Sequence, residues 1–145
     1  AGEKILVDDI VEKDDSLLIN LPFFEAKLKL QKEGNGYKGI WYKRTSIGDQ
    51  SVPIIIEEGS ERLVLSGAKA KYNVSGRWSV VFTKVDGKEY NAIAEFDQLG
   101  DSLRGTFLTA TGDYRYLEGV VKNDSLILST FDGTHAFFFS AKIHI

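Results

Sequence analysis

Apolar and polar residues alternate along nearly the whole of this chain, and this alternation restricts the fold more than any other feature of the sequence. Trp78, Val80 and Phe82 share one face of the segment RWSVVFTKV, and the polar residues Arg77, Ser79 and Thr83 lie on the other. A period of two residues is typical of a β-strand that buries one face. No segment has the spacing of an amphipathic helix of about ten residues or more. The sequence therefore predicts an all-β protein.

Short polar turns divide the second half of the chain into alternating segments. Asp86-Gly87, Thr111-Gly112, Asn123-Asp124 and Asp132-Gly133 each lie between two such segments. Residue pairs of this kind tolerate the positive φ angles of tight hairpin turns. The segments are RWSVVFTKV, KEYNAIAEF, SLRGTFLTA, DYRYLEGVV, SLILSTF and HAFFFSAKIHI. They predict an antiparallel meander of six strands.

The first half alternates less regularly. Its predicted strands are KILVDDIV, SLLINL, EAKLKLQ, YKGIWYK and VPIIIE. Proline has no N–H group to donate to a neighbouring strand, so we expect Pro22 and Pro53 at strand ends or sheet edges. Residues 59–76 have the weakest pattern, and we interpret them as an internal linker.

About eleven strands without a covering helix favour a sheet that closes on itself, because closure removes exposed edges. Small residues at the predicted inward positions Ala92, Ala94 and Gly105 fit a curved wall of this kind. We therefore predict one domain over 1–145, an antiparallel meander closed into an up-and-down barrel of the lipocalin or avidin kind. A β-sandwich is the alternative.

Composition excludes several functions. The chain has no cysteine, so it forms no disulfide and performs no thiol chemistry itself. Its formal charge of −3 argues against a nucleic-acid partner, because such partners bind chiefly to cationic side chains. The segment AGEKILVDDI is neither a signal peptide nor a spanning helix. Since no methionine occurs at all, we expect that the chain is a piece of a longer protein.

Motifs that would carry chemistry are incomplete. GNGYKG matches a phosphate-binding pattern, but the residues after it alternate, so we interpret it as a hairpin turn. His135 and His144 are nine residues apart, and on one strand they would point to opposite faces. Glu95, Asp97 and Glu118 could supply the carboxylate pair of a glycosidase, although any acid-rich domain offers such pairs. We predict no catalytic residue, no metal site and no cofactor.

Aromatic residues give the candidate binding site. In the stretch GTFLTATGDYRYLEGVV, Tyr114 and Tyr116 fall on one face and Arg115 on the other. If Arg115 points inward, it must pair with an acid such as Glu95 or Glu118, because an unpaired buried charge is costly. A buried structural network and a ligand pocket both fit this pattern. The candidate binding residues are Trp41, Trp78, Tyr114, Arg115 and Tyr116.

Longer segments carry a family resemblance. TGDYRYLEG and STFDGTHAF, preceded in order by VDDIVEKDDSLLINLPFFEAKL, GIWYKR and VSGRWSVVF, resemble the N-terminal, non-catalytic β-rich region of TlpA-like thiol-disulfide oxidoreductases of the Bacteroidetes type. The resemblance covers most of the chain. It implies a parent protein with a C-terminal thioredoxin domain that holds a C-x-x-C dithiol and is absent here. It also implies a periplasmic or cell-envelope location, with a membrane anchor in the parent protein.

The leading hypothesis from the sequence follows from this resemblance. The chain is expected to be a non-catalytic accessory domain that positions the thioredoxin domain or docks a client protein. The alternative is a small-molecule-binding barrel of the lipocalin or avidin type, lined by the candidate aromatic residues.

Overall fold

The computed structural model describes residues 5–23, 25–59, 69–115 and 117–144. Within those ranges every regular element is a β-strand, as the alternation predicts. All strand pairs are antiparallel and form two separate sheets. The chain divides into two compact units, one built on Lys4–Glu61 with Phe131–Ala136 and one built on Arg62–Thr130 with Phe137–Ile145. The prediction of an all-β antiparallel fold is confirmed.

The first unit contains a five-stranded sheet. Its strands follow one another in the sheet in the order of the sequence. They are β1 (Ile10–Lys13), β2 (Ser16–Asn20), β3 (Lys27–Glu33), β4 (Gly36–Thr45) and β5 (Gly48–Ile56). Pro53 lies in β5, the last strand of the sheet order, and Pro22 lies just after β2. Both prolines therefore occupy the kind of position that their missing N–H group requires.

One face of the five-stranded sheet is apolar. Leu28 lies opposite Ile19 on one side and Trp41 on the other. Leu28, Leu30 and Trp41 are buried, and their neighbours on this face are Leu17, Ile19, Tyr37, Val52 and Ile54. This cluster is the core of the first unit.

The second unit contains a seven-stranded sheet that curls into a half-barrel. Its strands are β6 (Gly76–Thr83), β7 (Glu89–Leu99), β8 (Ser102–Thr109), β9 (Gly112–Asp113), β10 (Leu117–Lys122), β11 (Ser125–Phe131) and β12 (Ala136–Lys142). The hydrogen-bonded order is β12-β11-β10-β8-β7-β6, and the two-residue β9 pairs with β8. The six-strand meander is thus confirmed, with β9 as an unpredicted addition.

Closure of the predicted barrel is not confirmed. Among the described strands, the order of the seven-stranded sheet begins at β12 and ends at β6, and no ladder joins these two. The strands of the first half form their own sheet and do not extend the meander. Period-two patterning specifies which face of each strand is buried, but it does not specify where a sheet ends.

The core of the second unit lies on the sheet face that the alternating pattern predicts to point inward. Ala94, Leu103 and Leu128 have no exposed surface, and Phe107 is buried beside them. Gly105 lies opposite Phe96, whose ring occupies the space that a side chain at Gly105 would need. The small residues predicted to face inward therefore make room for neighbouring aromatic rings.

The predicted turns and the linker can be compared with the structure directly. Gly87 and Gly133 have positive φ angles of 81° and 100°, and Asn123 has a φ of 57°. Of the predicted linker 59–76, residues 60–68 lie outside the described part. The described remainder before Gly76 contains no strand.

Candidate functional site

Tyr114, a candidate binding residue, lies in a cluster of packed aromatic rings in the second unit. Its ring centroid lies 4.7 Å from that of Phe137, 5.7 Å from that of Phe139 and 6.3 Å from that of Phe107. The ring centroids of Phe107 and Phe139 lie 4.8 Å apart, in an edge-to-face arrangement. Edge-to-face contacts at such distances are the preferred geometry of aromatic cores. The rings pack against one another, which agrees with a buried structural network, one of the two alternatives for the stretch around Tyr114.

The backbone around Tyr114 is held in place by hydrogen bonds. Its N–H group donates to the carbonyl oxygen of Phe107 at 2.9 Å. The hydroxyl group of Thr106 donates to the carbonyl oxygen of Tyr114 at 3.0 Å. Tyr114 therefore remains fixed against β8 although it lies outside the regular strands.

The hydroxyl group of Tyr114 lies 3.4 Å from that of Tyr90. This hydrogen bond, together with desolvation, raises the pKa of Tyr114 from 10.0 to about 12. The neutral phenol is therefore favoured by folding. Its contribution to stability is complete below pH 10, the value for an unfolded tyrosine, and is lost as the pH rises toward about 12.

We expect that an ultraviolet absorbance titration will show a tyrosine step near pH 12 that belongs to Tyr114. Tyr114→Phe should abolish this step, and Tyr90→Phe should move it toward pH 10, because the hydrogen-bond partner is then lost. A high-pH step that persists unchanged in Tyr114→Phe would contradict this placement of the ring.

Trp41 is buried in the first unit and is held from the turn between β11 and β12. Its indole Nε1–H donates to the carbonyl oxygen of Gly133 at 2.8 Å. Its ring lies 5.4 Å from that of Phe131, and the Nζ of Lys43 lies 4.4 Å from its centroid. Lys43 in turn donates to the carbonyl oxygen of Thr134 at 3.1 Å. The indole thus anchors this turn to its own unit.

The other three candidate residues are placed differently. Trp78 is half exposed, and its Nε1–H donates to the carbonyl oxygen of Val74 at 2.8 Å. Arg115 is exposed and forms hydrogen bonds of 3.0 and 3.2 Å with the carboxylate of Asp113, so its charge is not buried. Tyr116 lies outside the described residues. The four described candidate residues are therefore distributed between the two units.

The carboxylates considered for glycoside chemistry lie on the outward face of the seven-stranded sheet. Glu95 forms an ion pair with Arg77, and Glu118 forms one with Arg104 at 3.3 Å. Asp97 lies directly across from Arg104 in the neighbouring strand. Each acid thus lies beside an arginine in a surface ladder of alternating charge.

The polar face of the five-stranded sheet carries a lysine cluster that sequence reasoning missed. Lys27 and Lys29 on β3 share this face with Lys38 on β4, since Lys38 lies opposite Gln31. Tyr42 lies opposite Lys27, and the two ammonium groups of β3 lie 5.9 and 5.3 Å from its ring centroid. We name these residues, Lys27, Lys29, Lys38 and Tyr42, the basic face.

The three ammonium groups of the basic face have no carboxylate within 4.0 Å in the part of the chain that the structure describes. The nearby carboxylates of Glu25 and Asp49 are both paired with Arg44. The alternating segment EAKLKLQ already indicates that Lys27 and Lys29 lie on the same polar face of one strand. The contribution of Lys38 required the register of β3 with β4, which a single strand does not reveal.

Comparisons with known proteins leave the fold and these surfaces as the available basis for assigning a function. No protein-family model, no curated protein and no solved structure matches the chain. Among residues 5–23, 25–59, 69–115 and 117–144, no three potential metal ligands are grouped closely enough to hold an ion. None of these residues forms a helix that is long and apolar enough to cross a membrane.

Proposed function

We propose that this chain is a non-catalytic docking domain whose basic face binds an acidic segment of a protein partner. The observation that supports this proposal is the basic face itself: the ammonium groups of Lys27 and Lys29 lie beside the ring of Tyr42, and Lys38 shares the face. None of the three lysines has a carboxylate within 4.0 Å among the residues that the structure describes. A flat sheet face that combines ammonium groups with an aromatic ring is complementary to an extended chain rich in Asp and Glu.

The spacing of the lysines supports an anionic partner. Lys27 and Lys29 are two residues apart on one strand, so their Cα atoms are separated by about 6.6 Å. Like charges on neighbouring positions of a sheet repel one another, and here no described carboxylate lies within 4.0 Å of either ammonium group. An acidic segment that lies across β3 and β4 would supply the missing negative charge and relieve it.

Hydrophobic contact would add to the charge attraction. Ile40 lies opposite Lys29 and Ile55 lies opposite Lys38, so both isoleucines share the basic face. Ile55 is 66 % exposed. An apolar side chain of the partner could cover it, which would give the interface the usual combination of apolar contact and a charged rim.

The same proposal includes the parent protein implied by the resemblance. We propose that the chain accompanies a thioredoxin domain in a cell-envelope thiol-disulfide oxidoreductase, and that the acidic segment belongs to that domain or to a client. Because this chain has no cysteine, the proposal places the redox chemistry in the other domain. Reading the coding sequence beyond Ile145 tests this part. A following domain without a C-x-x-C motif would overturn the parentage and leave the docking proposal intact.

The small-molecule-binding barrel remains a weaker alternative. The ring of Tyr114 packs against the rings of Phe137 and Phe139, and the indole of Trp41 donates to a backbone carbonyl group. These side chains already have protein partners at the positions where a ligand would contact them. The docking proposal requires no rearrangement of either core.

Binding of a fluorescein-labelled oligoglutamate peptide, followed by anisotropy at low ionic strength, tests the docking proposal. Replacing Lys27, Lys29 and Lys38 together with glutamine should weaken binding about tenfold, because three exposed charge pairs at about 0.5 kcal/mol each contribute about 1.5 kcal/mol. The matched control replaces Lys32, Lys84 and Lys88 with glutamine, which changes the net charge equally. Equal weakening in the two variants, or preference for anionic vesicles or single-stranded DNA over the peptide, would contradict it.

A further inference from the structure

A polar cleft of about 640 Å³ lies in the second unit. Its volume is within the range of about 300–1,000 Å³ that is typical of small-molecule sites. Its charged lining residues are Lys69, Lys71, Asp101, Lys122 and Asp124.

One wall of the cleft is held in position by the side chain of Gln98. Its amide nitrogen donates to the carbonyl oxygens of Tyr72 and Gly100 at 2.9 and 2.8 Å. Its amide oxygen accepts from the N–H group of Val74 at 2.8 Å. This one side chain therefore fixes the segment that follows Lys71 against the end of β7.

The opposite wall is the turn between β10 and β11. Asn123 adopts a φ of 57° in this turn, and the carbonyl oxygen of Asp124 accepts from the N–H group of Ile143 at 2.7 Å. The N–H group of Val121 donates to the carbonyl oxygen of Asp101 at 2.8 Å. Val121 and Asp101 are both buried, and both line the cleft.

The charges around the cleft are unequal. Three lysines line it, and they outnumber the two aspartates. The carboxylate of Asp124 already accepts hydrogen bonds from the Nζ of Lys142 at 2.9 Å and from the hydroxyl group of Ser125 at 3.2 Å. The bond from Lys142 is the main reason that the pKa of Asp124 lies below its usual value. The carboxylate of Asp124 is therefore engaged mainly with Lys142, although its charge also acts on Lys71.

We propose that this cleft binds a compact organic anion with at least two negative charges, held by Lys69, Lys71 and Lys122. Lysines on both walls can approach one ligand from two sides, and hydrogen bonds position the backbone segments next to them. Ammonium groups on flexible stems recognise phosphate and carboxylate groups alike. The shared chemistry is a multivalent anion, and phosphorylated and polycarboxylic ligands are its two sources.

Isothermal titration calorimetry with inorganic pyrophosphate in one arm and citrate in the other tests the proposal and separates the two sources. In a heteronuclear NMR titration, the amides of Val121, Lys122 and Asn123 should shift with the anion that binds. Lys122→Gln should raise the dissociation constant for that anion about tenfold, because a charge-assisted hydrogen bond is lost. Lys84→Gln removes an exposed lysine elsewhere in the unit and should change the constant less than twofold.

Three results would overturn the proposal. The first is that neither anion shifts the cleft amides at millimolar concentration. The second is that Lys84→Gln weakens binding as much as Lys122→Gln does. The third is that Ca²⁺ shifts these amides and the anions do not, which would assign the cleft to its carboxylates. Thermal melts of both variants check that the fold is intact. None of these results depends on the acidic partner proposed for the basic face.

Discussion

Replacing Phe107 with alanine is expected to destabilise the second unit by about 3–5 kcal/mol, which is the usual range for a buried phenylalanine. Its ring contacts four other aromatic rings, those of Phe82, Phe96, Tyr114 and Phe139. Deleting it leaves a cavity that β8 cannot close, because the strand is hydrogen-bonded on both sides. Urea denaturation followed by circular dichroism measures the loss.

Leu108→Ala is the matched control for this experiment. Leu108 is the next residue on β8, points to the opposite face and is only half-buried. Its truncation should cost about 1 kcal/mol, since less apolar surface is lost and water can fill the space. If the two variants were equally stable, the aromatic cluster would not be the core of this unit.

Gly119→Ala is expected to destabilise the same sheet by about 3 kcal/mol or more, for a different reason. A Cβ atom at Gly119 would overlap the carbonyl oxygen of Ile127 and lie 2.9 Å from the Cα of Leu128. These are backbone atoms of the paired strand β11, so no side-chain rotation can relieve the overlap. β10 and β11 would have to separate, and the ladder between them would weaken.

Gly87→Ala provides the comparison for Gly119→Ala. Gly87 has a φ of 81°, and no atom lies within 4 Å of the position that a Cβ would take. Its substitution should cost about 1–2 kcal/mol, from the left-handed backbone conformation alone. Chemical denaturation of both variants measures the difference. A cost at Gly119 no larger than that at Gly87 would show that the two strands are not as closely paired as described.

The sequence predicted the strands and their faces well, because burial of one face imposes a period of two. Ala92 and Ala94 were assigned to the interior from alternation alone, and both are buried. The hairpin turns were equally readable, since Asp-Gly and Asn-Asp pairs tolerate the required backbone angles. These are local properties, which depend on residues close together in the chain.

Properties that depend on distant residues were not readable. The division into two sheets depends on pairings that alternation leaves open. The indole N–H group of Trp41 donates to the carbonyl oxygen of Gly133, which lies in a turn 92 residues later in the chain. Arg115 pairs with Asp113, two residues away, although an inward position would have required Glu95 or Glu118. The basic face needed the register of β3 with β4 before its lysines could be grouped.

The central claim is that the aromatic side chains fill the interior while a partner is recognised on the exposed basic face. An NMR titration of the isotopically labelled chain with the oligoglutamate peptide tests it most directly. The account predicts that amide shifts are largest at Lys27, Lys29, Lys38 and Tyr42 and decrease as salt is added. Shifts concentrated at Phe107 and Tyr114, with the basic face unchanged, would contradict it.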